Sequence, residues 1–600
     1  MCGLTGFLDF RATLSGAESH RIGLEMASEI SHRGPDSEGV WYDESAGIVF
    51  AHRRLAIVDL SSAGHQPMIS WSSRFVIIYN GEIFNAAELR GRLGVMKGTS
   101  DTEIILEACE AWGVEATCKC LIGMFAFALW DRKSHELYLV RDRLGIKPLY
   151  WGFHHGILFF GSELKSFAKH PRWKPEIDHE AQDSYFQTNY IPAPRSIYKG
   201  IQKLRPGYIL KINAKQQIEE ICFWDLKKLN RAIIENPVEQ LHILLKDAVK
   251  RRMMADVPLG AFLSGGIDSS TIVALMQSQS NKPIKTFSIG SYEHAYDESE
   301  QASKIAEHLG TEHTAWRVSD SDAHKLIPKL AEYYDEPFAD SSQIPTYLVS
   351  QLARQQVIVS LSGDGGDELF GGYNRYWIGH QYWPIAKKIP IGIRKLGAFG
   401  LRQFPVSRLG ERLYKLGHWL SAHDEKEFYR RSSGSSGDEM SSDNFVYSMQ
   451  QADLLGYLPD DILAKVDRAS MAVSLEARVP YLDHRVVEFA MSLPLNTKIR
   501  NGQTKWVLRQ VLEKYVPQAL TGQKKQGFEV PIDVWLRGRL RDWAENLLTE
   551  QKLTDSGLDP KAIRIQWQEH LQRRANRQHS IWGVLMFQTW RERWLKSSYT

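Results

Sequence analysis

The sequence predicts two folded units of different class. The first is an α+β unit of layered antiparallel sheets with helices, and the second an α/β unit on a parallel sheet with a helical C-terminal part. Three observations carry this expectation. At 600 residues the chain exceeds the size at which one hydrophobic core usually keeps growing, so at least two domains are expected. From Cys2 to about Trp224, short strand candidates are broken by Gly and Asn turns. After Asn230, helices alternate with apolar strands that each end on a small-residue loop, the signature of a parallel sheet. The boundaries read as residues 2–215 and 235–600.

In the first unit, Gly3 and Gly6 allow close backbone approach while Leu4, Phe7 and Leu8 alternate toward a strand, so the N-terminus is built into a sheet. The stretches from Gly39 to Leu60, Arg74 to Asn85, Glu136 to Gly152 and Gly156 to Glu163 fit strand and turn patterns, and Asp101 to Trp112 fits a helix. The second unit opens with the helical Asn236 to Met254. The strand candidates GAFLS, KTFSIG and VIVSLSG follow, and helix dominates from about Tyr376. Ser432 to Ser442, SSGSSGDEMSS, reads as a flexible loop by composition.

Composition restricts the function classes. Hydrophobic content of 43% and charged content of 24% are ordinary for a soluble globular protein. A net charge of +3 without a Lys/Arg block argues against nucleic acid and for small-molecule chemistry. The longest apolar runs, such as Met124 to Trp130, stop well short of the ~20 residues a bilayer needs, so no membrane span is expected. With no secretory pattern at the N-terminus and only five cysteines, a reducing cytoplasm is the expected location. Cys118 and Cys120 have no second pair at a zinc spacing and read as ordinary thiols.

The chemistry begins at Cys2. A cysteine in this position is ordinarily a small residue at a frayed end. Trimming of Met1, however, would leave a thiol and a free amine on one residue, a nucleophile beside its own base. Such a nucleophile needs oxyanion donors and a grip on its substrate. Asn80 and Gly81 offer an amide and a glycine N–H at one turn, while Arg54 and Asp101 could hold the charged ends of an amino acid. Singly, an Asn-Gly dipeptide is usually a hairpin turn and an Arg or Asp is usually solvated. Together, MCGLTGF, SHRGPDSEG, HRRLAIVD, YNGEI and SDTE resemble a class II glutamine amidotransferase domain of the N-terminal-nucleophile type. The resemblance implies that Cys2 attacks the side-chain amide of glutamine, that Asn80 and Gly81 stabilise the oxyanion, and that Arg54, Glu82 and Asp101 bind the glutamine backbone groups. Glutamate and ammonia are the implied products.

In the second unit, Ser264-Gly265-Gly266-Ile267-Asp268-Ser269-Ser270 lies between a strand and a helix, where backbone N–H groups and hydroxyls bind anions. No Gly-Lys-Ser/Thr follows, so the loop suits a pyrophosphate cradle rather than a Walker A grip. A second loop, Ser362 to Glu368, follows the strand VIVSL at the sheet edge where ligands of open α/β sheets collect. Two acids facing one phosphate loop suggest Mg²⁺, with Asp268 and Asp367 the natural pair. With ILAKVDRASM, SLEARVPYLD and KKQGFEVP, these loops resemble the synthetase domain of the glutamine-hydrolysing asparagine synthetase family, and the resemblance covers essentially the whole chain. It implies ATP as co-substrate, attack of a carboxylate on the α-phosphate to give an acyl-adenylate and pyrophosphate, and displacement of AMP by ammonia. By family position Leu263, Ile289, Ser362 and Gly363 contact the nucleotide and Lys505 stabilises charge during adenylation. A homodimer is usual in such a family. Where the family commonly carries glutamate, this chain has Asp364, one methylene shorter. The expected acceptor is aspartate, with a uronic-acid sugar carboxylate as the alternative. Ammonia is expected to pass between the two centres through an apolar domain seam.

Overall fold

A computed structural model describes residues 2–94, 96–229, 234–291, 299–402, 413, 416–435, 437–440, 444–521 and 530–595. In the first unit the strands are β1 (Gly3–Asp9), β2 (Ser37–Asp43), β3 (Ile48–Arg54), β4 (Met68–Ile69), β5 (Phe75–Ile83), β6 (Gly123–Asp131), β7 (Glu136–Arg141), β8 (Tyr150–His154), β9 (Ile157–Gly161), β10 (Ile201–Lys203), β11 (Tyr208–Ile212) and β12 (Ile218–Cys222). They form two six-stranded sheets in the orders β10-β8-β9-β1-β3-β2 and β12-β11-β7-β6-β5-β4.

The two faces of β1 account for the layering. Leu4 and Leu8 point into the space between the sheets, with Phe50 and Phe160 from the first sheet and Val76, Ile78, Ala126 and Ala128 from the second. Phe7, on the opposite face, packs with Ile22 and Met26 of the helix Gly16–Ser28. Both faces are covered, so all seven residues of β1 are buried. The outer face of the second sheet repeats the arrangement: Ile77, Phe125, Phe127 and Leu129 meet Ile104, Ile105 and Cys109 of the helix Asp101–Trp112. The result is a helix, sheet, sheet, helix sandwich.

The second unit carries β13 (Leu259–Phe262), β14 (Lys285–Ser291), β15 (Glu312–Val318), β16 (Val359–Leu361) and β17 (Glu476–Arg478) in one sheet of order β15-β14-β13-β16-β17. Every pairing is parallel. The chain winds outward from β13 through β14 to β15, then returns to build β16 and β17 on the other side. The strand order therefore reverses between β13 and β16, and such a switch point is where open α/β sheets bind ligands.

The sequence pattern does not announce β15 or β17. In β15 no residue is fully buried, and β17 is three residues long with two charged side chains sealed inside. Beyond residue 376, β17 is the one strand among the described residues, and the remainder is largely helical. Ser432 and Ser433 close the helix Glu425–Ser433 rather than belonging to a loop, because the left-handed Gly434 ends the helix after them. Residues 436 and 441–443 of that expected loop, and residues 524–529 of KKQGFEVP, lie outside the described residues.

The two units share buried surface. Leu55, Ile57, Met124, Leu144 and Ile146 from the first join Leu263, Leu361, Val479 and Leu482 from the second in one apolar cluster.

Candidate active sites

Cys2 precedes the central strand β1 and is 8% exposed. Its backbone N–H donates to Asn80 Oδ1 at 2.9 Å, and its Sγ lies 4.0 Å from Leu55 O. Burial pushes the thiol up, against the smaller opposing effects of the Leu55 contact and the Arg54 charge. At neutral pH the group is therefore a thiol, and its nucleophilicity depends on a base that takes the proton during attack.

The Asn80-Gly81 pair lies inside β5, not at the turn suggested by its sequence, because Asn80 pairs with Ala126 and Gly81 with Phe125 across the ladder to β6. The strand forces glycine at 81: a Cβ would stand 2.8 Å from the Phe125 Cα and clash with Met124 O. The Asn80 Nδ2 is buried without a hydrogen-bond partner among the described residues. One side chain thus holds the Cys2 nitrogen through its oxygen and keeps a desolvated donor on the same amide, of the kind an oxyanion requires.

The other predicted residues of this centre are fixed by their surroundings. Arg54 donates to Ser61 O at 2.8 Å and to Asp59 O. Asp101, the first residue of its helix, accepts from Tyr79 Oη at 2.8 Å and from the Ile83 N–H at 3.0 Å. Glu82 accepts from Arg478 of the second unit at 3.3 Å. Burial, and next the Asp101 carboxylate, hold the Glu82 carboxyl well above the usual carboxylate range despite Arg478.

The second centre forms at the switch point. After β13, the loop closes on itself: Ser264 N–H donates to Ser269 Oγ at 3.2 Å, and the two hydroxyls lie 3.0 Å apart. Gly265 takes a φ of +78°, and Gly266 caps the helix Ile267–Gln277, which contains Asp268, Ser269 and Ser270. Leu263 N–H donates to Phe287 O at 2.9 Å, and Ile289 lies on the same neighbouring strand. The loop after β16 presses against the first. A Cβ on Gly363 would stand 2.8 Å from Ser269 N, and one on Gly366 would stand 2.5 Å from Asp268 Oδ1. Asp364 turns back to accept from the Ser362 hydroxyl.

Lys505 takes a left-handed φ of 56° at the N-cap of the helix Trp506–Leu512. Its Nζ lies 2.6 Å from Asp367 Oδ1 and pairs with Asp268 Oδ2. Asp268 and Asp367 thus converge on one positive charge. Two carboxylates beside a phosphate loop match the needs of Mg²⁺, which completes its shell with phosphate oxygens and water.

Four further residues at the two centres and their seam were not assigned from sequence. Arg33 donates to Cys2 O at 3.1 Å and to Asp467 of the second unit at 2.8 and 3.1 Å. Arg478 donates to Glu82 while its own carbonyl accepts the Ser362 N–H at 2.8 Å. Glu368 is buried, and burial followed by the neighbouring Asp367 raises its carboxyl to about 7. Arg33, Asp467, Arg478 and Glu368 all sit in stretches singled out in the sequence, but the Arg33–Asp467 and Arg478–Glu82 contacts join residues distant along the chain.

Fold and geometry together define a two-centre protein, with a buried N-terminal thiol in a double-sheet sandwich and a phosphate-type loop pair on a parallel sheet. Residues 1–224 match the family model of the glutamine amidotransferase domain, and residues 240–592 match that of asparagine synthase. Asparagine synthetase [glutamine-hydrolyzing] 1 of Bacillus subtilis is 34% identical over 619 residues, covering 98% of this chain and 96% of the relative. A putative asparagine synthetase of Mycobacterium tuberculosis is 34% identical over 647 residues, covering 98% and 97%. Amidase chry2 of Gibberella zeae is 25% identical and covers 95% and 94%. The chain belongs to the glutamine-hydrolysing asparagine synthetase family.

Proposed function

We propose that this protein is a glutamine-dependent asparagine synthetase working through two units, residues 2–215 and 235–600. After removal of Met1, the Cys2 amine takes the thiol proton as sulfur attacks the glutamine side-chain amide. Asn80 Nδ2 and the Gly81 N–H stabilise the resulting oxyanion, with Arg54, Glu82 and Asp101 holding the amino-acid groups. Ammonia leaves, and water hydrolyses the thioester to glutamate. In the second unit a carboxylate oxygen attacks the α-phosphorus of ATP and pyrophosphate departs. Ammonia then attacks the acyl carbon, giving the amide and AMP.

Leu263, Ile289, Ser362 and Gly363 flank the nucleotide in this reading, and residues 264–270 cradle the pyrophosphate. Asp268 and Asp367 would hold Mg²⁺, which neutralises phosphate charge when bound. Lys505 supplies a fixed cation as charge builds on the α-phosphoryl oxygens. The apolar cluster joining Leu55 and Ile57 to Leu361 and Val479 supports a dry route for ammonia, because Leu55 touches the thiol and Leu361 precedes Ser362.

The observation that carries the reading is the convergence of Asp268, Asp367 and Lys505 at the switch point, in the same chain as a thiol held by Asn80. A second acceptor class, a uronic-acid sugar carboxylate, is favoured by one feature: the shortened Asp364 is engaged by Ser362 of its own loop. The test supplies glutamine and ATP with aspartate or with uronic-acid nucleotides and measures AMP and pyrophosphate. Aspartate-dependent release supports the first reading, release with the sugar alone supports the second, and ADP with phosphate refutes the adenylation chemistry.

A further inference from the structure

The segment from residue 382 to 399 reverses the usual rule of burial. Its inner side holds Trp383, Ala386, Arg394 and Ala398, with Arg394 only 7% exposed. Its outer side presents Tyr382, Ile385, Ile389, Ile393, Leu396 and Phe399, with Leu396 at 75% and Phe399 at 65%. The spacing of three or four residues puts these groups in one stripe along the helix Ile391–Arg402 and the turn before it. Arg394 is not a misplaced surface cation, because it donates to Ile389 O, Leu420 O and Ala422 O and lies over the Trp383 ring. The inner face is therefore satisfied, and the outer apolar face has no cover among the described residues.

Charge identifies what fits that face. Residues 369–410 contain no Asp or Glu, whereas Lys387, Lys388 and Lys395 are exposed beside the stripe. Lys387 reaches Glu425 at 3.5 Å, the one ion pair these lysines make among the described residues, and both partners are solvent-exposed. An apolar stripe flanked by cations is the pattern of a helix lying in the plane of an anionic bilayer. Protein–protein interfaces are depleted of lysine, so exposed lysines along the stripe fit lipid headgroups better. No helix among the described residues is long and apolar enough to cross a membrane, so the contact would be peripheral.

We propose that residues 382–399 dock this protein on the surface of an anionic lipid bilayer, with Ile393, Leu396 and Phe399 entering the acyl boundary and Lys388 and Lys395 engaging lipid headgroups. The proposal is independent of the acceptor.

The test is flotation of the full chain with vesicles of phosphatidylcholine, or of equimolar phosphatidylcholine and phosphatidylglycerol, at physiological ionic strength. Binding is expected only to the anionic vesicles. Lys388→Glu with Lys395→Glu should lower the partition constant by more than about ten-fold, since each cation near such a surface is worth roughly five-fold. Leu396→Ser with Phe399→Ser should also lower it at least about ten-fold, because each apolar side chain left in water forfeits a comparable factor. Glutamine hydrolysis should be unchanged in both variants, since none of these residues touches either centre. Absence of binding to anionic vesicles would overturn the proposal. So would sedimentation showing a dimer that Leu396→Ser with Phe399→Ser dissolves, which would assign the face to a second copy of the chain.

Discussion

Replacing Gly363 by alanine should separate the two centres functionally. The added Cβ would lie 2.8 Å from Ser269 N, 3.0 Å from Asp268 C and 3.1 Å from Asp268 Cβ. Comfortable contact between such atoms is about 3.5–4.0 Å, so the two loops must part by about 0.5–1 Å. The neighbours are the backbone and Cβ of a helix first turn, not the end of a flexible side chain, so little can yield locally. Overpacking of this kind costs about 1–3 kcal/mol in stability. The larger effect is on alignment, since displacement of reacting groups by about 1 Å costs on the order of 10²-fold in rate. Acceptor-dependent pyrophosphate release should fall by about that factor, while glutamine hydrolysis measured without ATP stays near its original rate. Gly91→Ala is the control: nothing lies within 4 Å of a Cβ there, and alanine in the helix Ala86–Leu93 should add about 0.5–1 kcal/mol of stability. Near-normal pyrophosphate release from Gly363→Ala would show that close loop contact does not align the nucleotide.

Cys2→Ala should abolish glutamine hydrolysis yet leave ammonia-dependent synthesis; residual glutaminase, or mass spectrometry showing Met1 on the active enzyme, would remove Cys2 from the role of nucleophile. Lys505→Ala should lower turnover by on the order of 10²-fold or more with little change in ATP affinity, and Lys505→Arg should rescue poorly because a planar fork replaces a point charge. Arg478→Ala should destabilise the fold by about 3–5 kcal/mol in urea denaturation, since it leaves Glu82 and Glu476 buried without their guanidinium. Stability should also fall as pH drops below the ordinary histidine range. Burial holds His52 and His484 neutral with pKa values of about 3, so only the unfolded chain gains those protons between about pH 6.5 and 3. Each histidine contributes about 2 kcal/mol of loss by pH 5, and equal denaturation midpoints at pH 7 and 5 would contradict the assignment.

What was legible in the sequence was what local pattern encodes. Alternating residues in β1, β5 and β9 and the strand, glycine loop, helix succession around Ser264 identify both halves before any coordinates. The Asn80-Gly81 pair shows where local reading stops. As a dipeptide it resembles a hairpin turn, but its neighbours Ile77, Ile78, Tyr79 and Ile83 keep the strand going, and tertiary packing overrides the turn preference. The strand β17 was illegible for a related reason. Glu-Ala-Arg carries no apolar signal, and its burial rests on the Arg478 to Glu476 pair at 2.6 Å and on carbonyls of Arg252 and Met254 that accept from the same guanidinium. Those two carbonyls lie more than 200 positions away.

The charges at the seam bear on function more than on stability. A buried ion pair is seldom more stabilising than an apolar replacement of the same shape, so retaining several between two units calls for another reason. Direction supplies one. Arg33 ties the carbonyl of Cys2 to Asp467 on the helix Leu463–Met471, and Asp59 N–H donates to Asp256 at 3.0 Å in the approach to β13. Arg478 ties Glu82 to the backbone that anchors Ser362 in the loop after β16. Apolar contacts would hold the units together but tolerate sliding, whereas bidentate and multiply bonded guanidinium groups fix orientation. One residue thus holds both the start of the loop after β16 and an acid of the thiol centre. In the proposed reaction, where ammonia released at one centre is consumed at the other, such a registered seam would keep water out of the proposed route.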